Sequence, residues 1–431
     1  MPNGTCEPAT SGTKGHVLFV SRQRIAGRTN GSSAYLLDLA GAVRSAGFTP
    51  HLLQPSPDLM GRWPILRLRS EMEVFETHEI RGVFRIGDWV FVLDPRVGAE
   101  ALRAIVSRLG RMFGLRCAWV TDRPRPYAIA APWTDADRTF VRNKSRSHAD
   151  IVIADYAFQA EAACLLSTSP SAIVMHDLFH SREAQAGGRD SVAPLSREAE
   201  IALLSRADAV IAIQAGEARF VAEHVPAARP ILAPMAAHPV DAAQPGDGQR
   251  LLFVGSNTAP NVVALEWMFD NVWPIVRQRA PGCMLDIAGS VANAFPRGGP
   301  PGTMFHGMVH DLGPLYARAG VVISPLTFGS GLKIKLVEAL AQGKAVVATS
   351  VTLQGVEQQC AESVALADAP GPFAEAILTL ADDGRRLILA QKALAVAKRH
   401  FSPKACHAEF VTWLEENRPR VGTADRHDSC Q

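Results

Sequence analysis

The sequence predicts an α/β protein of two domains, each a parallel sheet wound with helices. Three observations predict it. Short apolar runs alternate with stretches of helical periodicity, the pattern of repeated βα units. A cluster of Pro, Gly and Asp interrupts that pattern in AHPVDAAQPGDGQR, residues 237–250, and a fresh apolar run follows at once. The chain of 431 residues also exceeds the roughly 250–300 residues that one hydrophobic core organises.

The elements follow in order. HVLFV (16–20) reads as the first buried strand, and GRTNGSS (27–33) leads from it into a helix over 33–46 that stops near Gly47. Further buried strands are predicted at WVFVL (89–93), CAWV (117–120), DIVIA (150–154), AIVMH (172–176) and AVIAI (209–213). After the break come LLFVG (251–255), CMLDIAG (283–289), GVVISP (320–325), a helix over 331–342 stopped by Gly343, and AVVATS (345–350). This gives an N-terminal domain over 14–240 and a C-terminal domain over 249–400. A helix over 401–417 is expected to pack back toward the N-terminal domain. Residues 1–13 and 418–431 are polar and read as disordered ends.

Composition narrows the function. Hydrophobic residues make up 47% and charged residues 20%, and the net charge of +2 gives no mandate for nucleic acid. The seven cysteines are scattered and form no CxxC pair, which argues against a disulfide framework or a structural zinc and favours a reducing compartment. No apolar run reaches the length of a signal peptide core or a membrane span, so the reading is cytoplasmic, and Asn-x-Ser/Thr triplets at Asn3, Asn30 and Asn143 read as chance. Charge is uneven, with 21 Lys/Arg against 14 Asp/Glu in residues 1–150. That surplus fits a solvated arginine-rich surface, and it leaves open an anionic acceptor or peripheral contact with the inner membrane face.

The most informative stretch is SPLTFGSGLKIKLVEALAQGKAVVATS, residues 324–350. A strand ends at Pro325, and a loop bearing Gly329, Ser330 and Gly331 opens a helix. Free N–H groups and the positive end of the helix dipole make an anion site there. Lys333 and Lys335 add positive charge where helix stability alone would disfavour it, so a diphosphate explains them. Glu338 follows one turn on, placed to accept hydrogen bonds from a vicinal diol such as ribose. The competing reading is a surface Lys335–Glu338 i,i+3 pair worth ~0.2–0.5 kcal/mol.

Four segments carry a family resemblance: LLFVGS (251–256), PNVVALEWMFDNVWPIV (260–276), FHGMVHDLGPLYARAGVVISP (305–325) and GSGLKIKLVEALAQGKAVVATS (329–350). They resemble the C-terminal domain of family-4-type, group 1 retaining glycosyltransferases of the GT-B fold. ADAVIAIQAGEARFV (207–221) and GSSAYLLDLAGAVRSAGFTPHLL (31–53) are similar to parts of the N-terminal domain of that family. The resemblance implies two facing Rossmann-like domains with a cleft between them, and transfer of a sugar from a nucleotide-sugar donor with retention. Met308 and Val309 would offer backbone groups to the base, Gly255 would allow close approach, and Lys333 or Lys335 would neutralise the diphosphate. Of the two donor-site glutamates seven residues apart, the second matches Glu338, while Ser330 stands at the first. No metal or other cofactor is implied.

In the N-terminal half, Gly31 and Ser32 sit in a loop that is not GxGxxG, so a nicotinamide fingerprint is absent. The loop reads either as a helix N-cap by Ser32 or Ser33 or, by the resemblance, as a cover over the donor. His176 and Asp177 leave the C-terminal end of a strand, where polar residues of α/β folds face the ligand crevice. His176 is the first choice for a sugar-contacting or acid/base group, with Asp177 or His180 next, against a buried structural histidine. A metal held by His176, Asp177 and His180 is a minor alternative. The acceptor class stays open among glycans, glycolipids and small molecules. A hydrolysing nucleotide-sugar epimerase and a catalytically silent sugar-nucleotide-binding subunit are the rival functions.

Overall fold

In the computed structural model, residues 13–29, 31–56, 64–112, 128–145, 149–180, 195–328 and 333–419 are described. The chain divides into two units, Met1–Ala233 with His407–Gln431, and Pro234–Cys406.

The strands of the first unit are β1 (His16–Val20), β2 (Thr49–Gln54), β3 (Ile65–Arg67), β4 (Thr77–Ile80), β5 (Val83–Ile86), β6 (Trp89–Val92), β7 (Ile151–Asp155), β8 (Ser171–Met175), β9 (Ala209–Ala212) and β10 (Arg229–Leu232). Seven form a parallel sheet in the order β10-β9-β8-β7-β1-β2-β4. Val17–Val20 and Ile151–Ala154 are buried because helices cover both faces, so their runs read as continuously apolar. The helix Gly31–Ser45 follows β1 and buries Tyr35, Leu36 and Leu39, and the Tyr35 hydroxyl donates to Ala233 O at 2.5 Å. Gly47, at φ +87, ends this helix in a conformation that glycine adopts without strain.

The run 89–93 corrects the sequence reading. β6 joins β3 and β5 in a separate antiparallel sheet, with Val90 and Val92 buried and Trp89 46% exposed. The predicted strand 117–120 and both terminal segments, 1–12 and 420–431, lie outside the described residues. The last helix, Ala408–Glu416, is fixed to the first unit. Leu232 N–H donates to the Glu409 carboxylate at 2.8 Å, and Glu415 and Glu416 pair with Lys14 and Arg229.

The second unit is a six-stranded parallel sheet, order β13-β12-β11-β14-β15-β16. Its strands are β11 (Asp247–Val254), β12 (Met284–Ala288), β13 (Thr303–Gly307), β14 (Ala319–Ser324), β15 (Ala345–Ala348) and β16 (Ala365–Leu366). Alternate residues serve two cores. Leu252, Val322 and Val346 meet Leu336 and Leu340 on one face, while Leu251, Val321 and Val347 join the core of Leu265, Trp273 and Phe373 on the other.

The stretch read as a linker is tied down at its end. β11 already begins at Asp247, and a side chain at Gly246 (φ +60) would put Cβ 2.1 Å from Ala319 O. Buried Arg386 donates to Pro245 O (2.8 Å) and Gly246 O (3.2 Å), and buried Lys344 donates to Gln244 O and Ala319 O, each at 3.1 Å.

Burial, with Arg386 nearby, lowers the Lys344 pKa from 10.5 to about 8. The folded pKa lies below the unfolded one, so between pH 8 and 10.5 the unfolded chain holds more protons and stability rises with pH. The wild-type unfolding free energy should therefore gain on the order of 1–3 kcal/mol over that window relative to Lys344→Met. Urea midpoints of the two proteins that move in parallel with pH would show that Lys344 does not titrate there.

Candidate functional site

In the second unit β11, β12 and β13 run one way across the sheet from the centre and β14, β15 and β16 the other. The switch point lies between β11 and β14, where α/β sheets open a crevice beyond the carboxyl ends of their strands. Two glycines shape it. A Cβ on Gly255 would meet the Phe253 ring at 2.7 Å, and one on Gly289 (φ +104) would lie 2.2 Å from Gly255 O. The β11 exit is thus pressed against the β12 exit, with Gly255 N–H donating to Ala288 O at 3.0 Å. Asn261, near the start of the helix Ala259–Trp267, donates to Ser256 O (3.0 Å) and Thr258 Oγ1 (3.1 Å) and fixes the connecting turn.

At this switch point is a cavity of about 270 Å³, with Ser256, Asn261, Tyr316, Ser324, Lys333 and Lys335 among its lining residues and Phe253, Leu326 and Leu336 in its apolar wall. The helix predicted over 331–342 runs from Ile334 to Ala341, with Lys333 at its N-cap and Gly343 (φ +60) after its end. Burial lowers the Lys333 pKa, the expected response of an ammonium drawn from water. Lys335 makes the i,i+3 pair, its Nζ 2.7 Å from Glu338 Oε2 at a half-exposed site. Gly329, Ser330 and Gly331 lie outside the described residues.

Tyr316 was not singled out from the sequence. Its side chain is 3% exposed, and its hydroxyl, on the cavity wall, has no hydrogen-bond partner. Burial first, then the Glu338 charge, push its pKa far up, so the group is a neutral O–H. Leaving a buried hydroxyl unpaired costs about 1–3 kcal/mol, which a ligand atom would recover. Nothing in the run GPLYARAG distinguishes this tyrosine from a core residue.

Met308 and Val309 follow β13, whose carboxyl end lies on the same sheet edge. Asp286 holds that edge strand through His306 Nε2 (2.6 Å) and also receives Arg250 Nη1 (3.1 Å). Met308 is 77% exposed and Val309 packs against the core.

In the first unit β1 and β7 form the switch point, and a buried polar cluster sits at their carboxyl ends. Asp155 is fully buried and accepts from Ser21 Oγ (2.5 Å), Gln23 Nε2 (2.6 Å) and His176 Nε2 (2.7 Å). Tyr156, the non-glycine residue with positive φ (77°) among the described residues, stacks on the His176 ring at 4.0 Å, and Tyr35 meets it edge-on at 5.8 Å. A carboxylate and two aromatic rings thus fix the imidazole and direct Nε2 to Asp155. Asp155 ends an apolar run as His176 does, so the signal that found the histidine could have found its carboxylate.

Asp177 accepts from Leu178 N–H at 3.0 Å. His180 is held by buried Glu200 (2.6 Å), which also accepts from the N–H groups of Phe179 and His180. His176 and His180 are therefore turned to separate carboxylates, and among the described residues no three His, Cys, Asp or Glu gather as metal ligands. Gly31 opens its helix, and Ser33 caps nothing at the helix start; its Oγ accepts from Thr29 N–H at 3.1 Å. Ser32 lies in the first turn of that helix, half-buried.

Residues 248–383 match the family model described as glycosyl transferases group 1. No curated protein matches the chain. Among solved structures, sucrose-phosphate synthase from Thermosynechococcus elongatus is similar at a TM-score of 0.55 and 14% identity, covering 93% of this chain and 98% of that one. HepE from Anabaena, in complex with UDP, is similar at 0.56 and 14%, covering 93% and 100%. Its complex with UDP-glucose gives 0.55 and 15%, covering 93% and 99%. The chain has the α/β fold of the two-domain GT-B glycosyltransferases. Its C-terminal domain is a group 1 glycosyltransferase domain.

Proposed function

We propose that the protein transfers a sugar, with retention of anomeric configuration, from a nucleoside diphosphate sugar to a hydroxyl of a glycan, glycolipid or small molecule. The observation that carries this reading is the cavity at the switch point of the group 1 domain, with Lys333 at a helix N-cap and an unpaired Tyr316 hydroxyl on its wall. The similar HepE structures hold UDP and UDP-glucose, which supports a uridine nucleotide as the donor. In this reading Met308 and Val309 meet the base, Gly255 lets the ligand approach the backbone, and Gly329, Ser330 and Gly331 lie along the phosphates. Glu338 accepts from the ribose diol, and Tyr316 donates to the ligand. Gly31, Ser32, His176 and Asp177 serve the sugar.

The chemistry is departure of the diphosphate from the anomeric carbon. Negative charge grows on the leaving oxygen, and a fixed ammonium with helix N–H groups lowers that barrier. The acceptor oxygen bonds to the anomeric carbon on the face the diphosphate leaves, and the acceptor proton passes to the leaving group. No pair of nucleophile and acid carboxylates is assigned, so no glycosyl-enzyme step is included.

Glu338→Ala should weaken UDP binding about 10-fold or more, the scale of a lost charge-assisted hydrogen bond, without lowering the melting temperature. Unchanged affinity by calorimetry would reduce Glu338 to the partner of Lys335. Turnover should survive excess EDTA, because lysine and backbone N–H groups carry the diphosphate charge in this reading. A loss restored by added divalent metal would overturn that. Product analysis tests the function itself: UDP released only when an acceptor is present supports transfer, release without acceptor means a hydrolysing epimerase, and none under any condition a silent subunit.

A further inference from the structure

The small antiparallel sheet and the helix that follows it turn large apolar side chains to water. In β3, β5 and β6 the register sets Ile65 and Phe84 against Phe91, and Ile86 against Trp89. Side chains alternate between faces along a strand, so these five stand together on one face. Leu66, Val90 and Val92 on the other face are buried. On the first face Ile65 is 48%, Phe84 55%, Ile86 59% and Trp89 46% exposed. The Arg67 guanidinium lies 5.8 Å over the Trp89 ring, and Arg69 and Arg85 are exposed beside it in sequence.

Exposed Leu93 leads into the helix Pro95–Met112. Val97 and Ala101 are buried, which accounts for how it is attached. A second stripe is not covered: Leu102, Ile105, Val106 and Leu109 recur at i, i+3, i+4 and i+7, all between 40% and 63% exposed. A surface built for water alone does not gather this much apolar area. Charge collects in the same part of the chain, where residues 81–146 hold 13 Lys/Arg against 6 Asp/Glu. That surplus of 7 equals the whole excess of the first 150 residues.

We propose that this face binds the surface of an anionic lipid bilayer, with Phe84, Ile86, Trp89 and the Leu102–Leu109 stripe entering the headgroup–acyl boundary and the arginines meeting lipid phosphates. Charge selects this occupant. An apolar face edged by arginine, with Trp on it, is complementary to a negative layer that is apolar beneath. A second copy of the chain would set the same surplus of positive charge against itself. No helix among the described residues is long and apolar enough to cross a membrane, so the contact is interfacial. The proposal does not rest on the transferase reading.

The test is flotation of the full chain with vesicles of phosphatidylcholine alone and of phosphatidylcholine with an equal part of phosphatidylglycerol. Binding to the anionic vesicles should be at least about 10-fold tighter and should weaken as salt is raised to about 0.5 M. Phe84→Ser with Trp89→Ser, and separately Leu102→Ser with Leu109→Ser, should each lower it about 10-fold or more at an unchanged melting temperature. If either pair unfolds the protein, Arg67→Glu with Arg85→Glu should lower anionic binding on a folded protein. Absence of vesicle binding would overturn the proposal, as would binding indifferent to all three pairs. So would a dimer in sedimentation that the sheet variant makes monomeric, because a second copy would then cover the face.

Discussion

Replacing His176 by alanine is expected to lower turnover by about 10²–10⁴-fold, the range for a positioned proton-transfer group, while nucleotide affinity barely changes. The affinity is spared because base, ribose and diphosphate are assigned to residues of the C-terminal domain. The size of the effect follows from how firmly the ring is held. Asp155, itself fixed by Ser21 and Gln23, accepts from Nε2, and Tyr156 stacks on the ring at a strained backbone position. A buried carboxylate that orients an imidazole in this way also stabilises its protonated form. Asp155→Asn should therefore give part of the same loss and move the pH profile of kcat, which a packing role would not do. Loss of melting temperature together with donor affinity in His176→Ala would identify a structural histidine.

Lys333→Ala is expected to reduce turnover by about 10²–10³-fold, the scale of removing one fixed donor from a developing charge in a partly dry site. Lys335→Ala should cost far less. Lys335 is engaged with Glu338 at a half-exposed surface, where such pairs contribute little. Lys333 lines the cavity at the helix N-cap, and its burial there is a desolvation cost that an anionic ligand would offset. Single-turnover rates of the two variants separate the lysines. Equal rates for Lys333→Ala and wild type would assign the diphosphate to another cation.

The fold was legible where burial on both faces makes a strand read as one apolar run, as at 16–20, 251–254 and 345–348. It was not legible at β2, whose TPHLLQ looks polar. His51 and Gln54 are buried there because neighbours satisfy them: His51 bonds His16 and Thr77, and Gln54 bonds His78 and Gln23 O. Hydropathy cannot see such partners. β6 was misread because its outward residues are apolar too, which erases the alternation of a half-exposed strand. In the site, strand ends and a Gly–Lys–Glu pattern pointed to Lys333, Glu338 and His176. Tyr316 and the Asp155 cluster depend on contacts between segments far apart in sequence, and only the folded chain displays them.

Amide hydrogen exchange of the full-length protein, alone and with UDP, GDP or ADP, tests the central claim that the C-terminal domain holds the nucleotide. At least one nucleotide should slow exchange in 255–261, 306–309 and 333–341, with little change in 16–54 and 149–180. Protection confined to the N-terminal segments, or none with any of the three nucleotides, would contradict it.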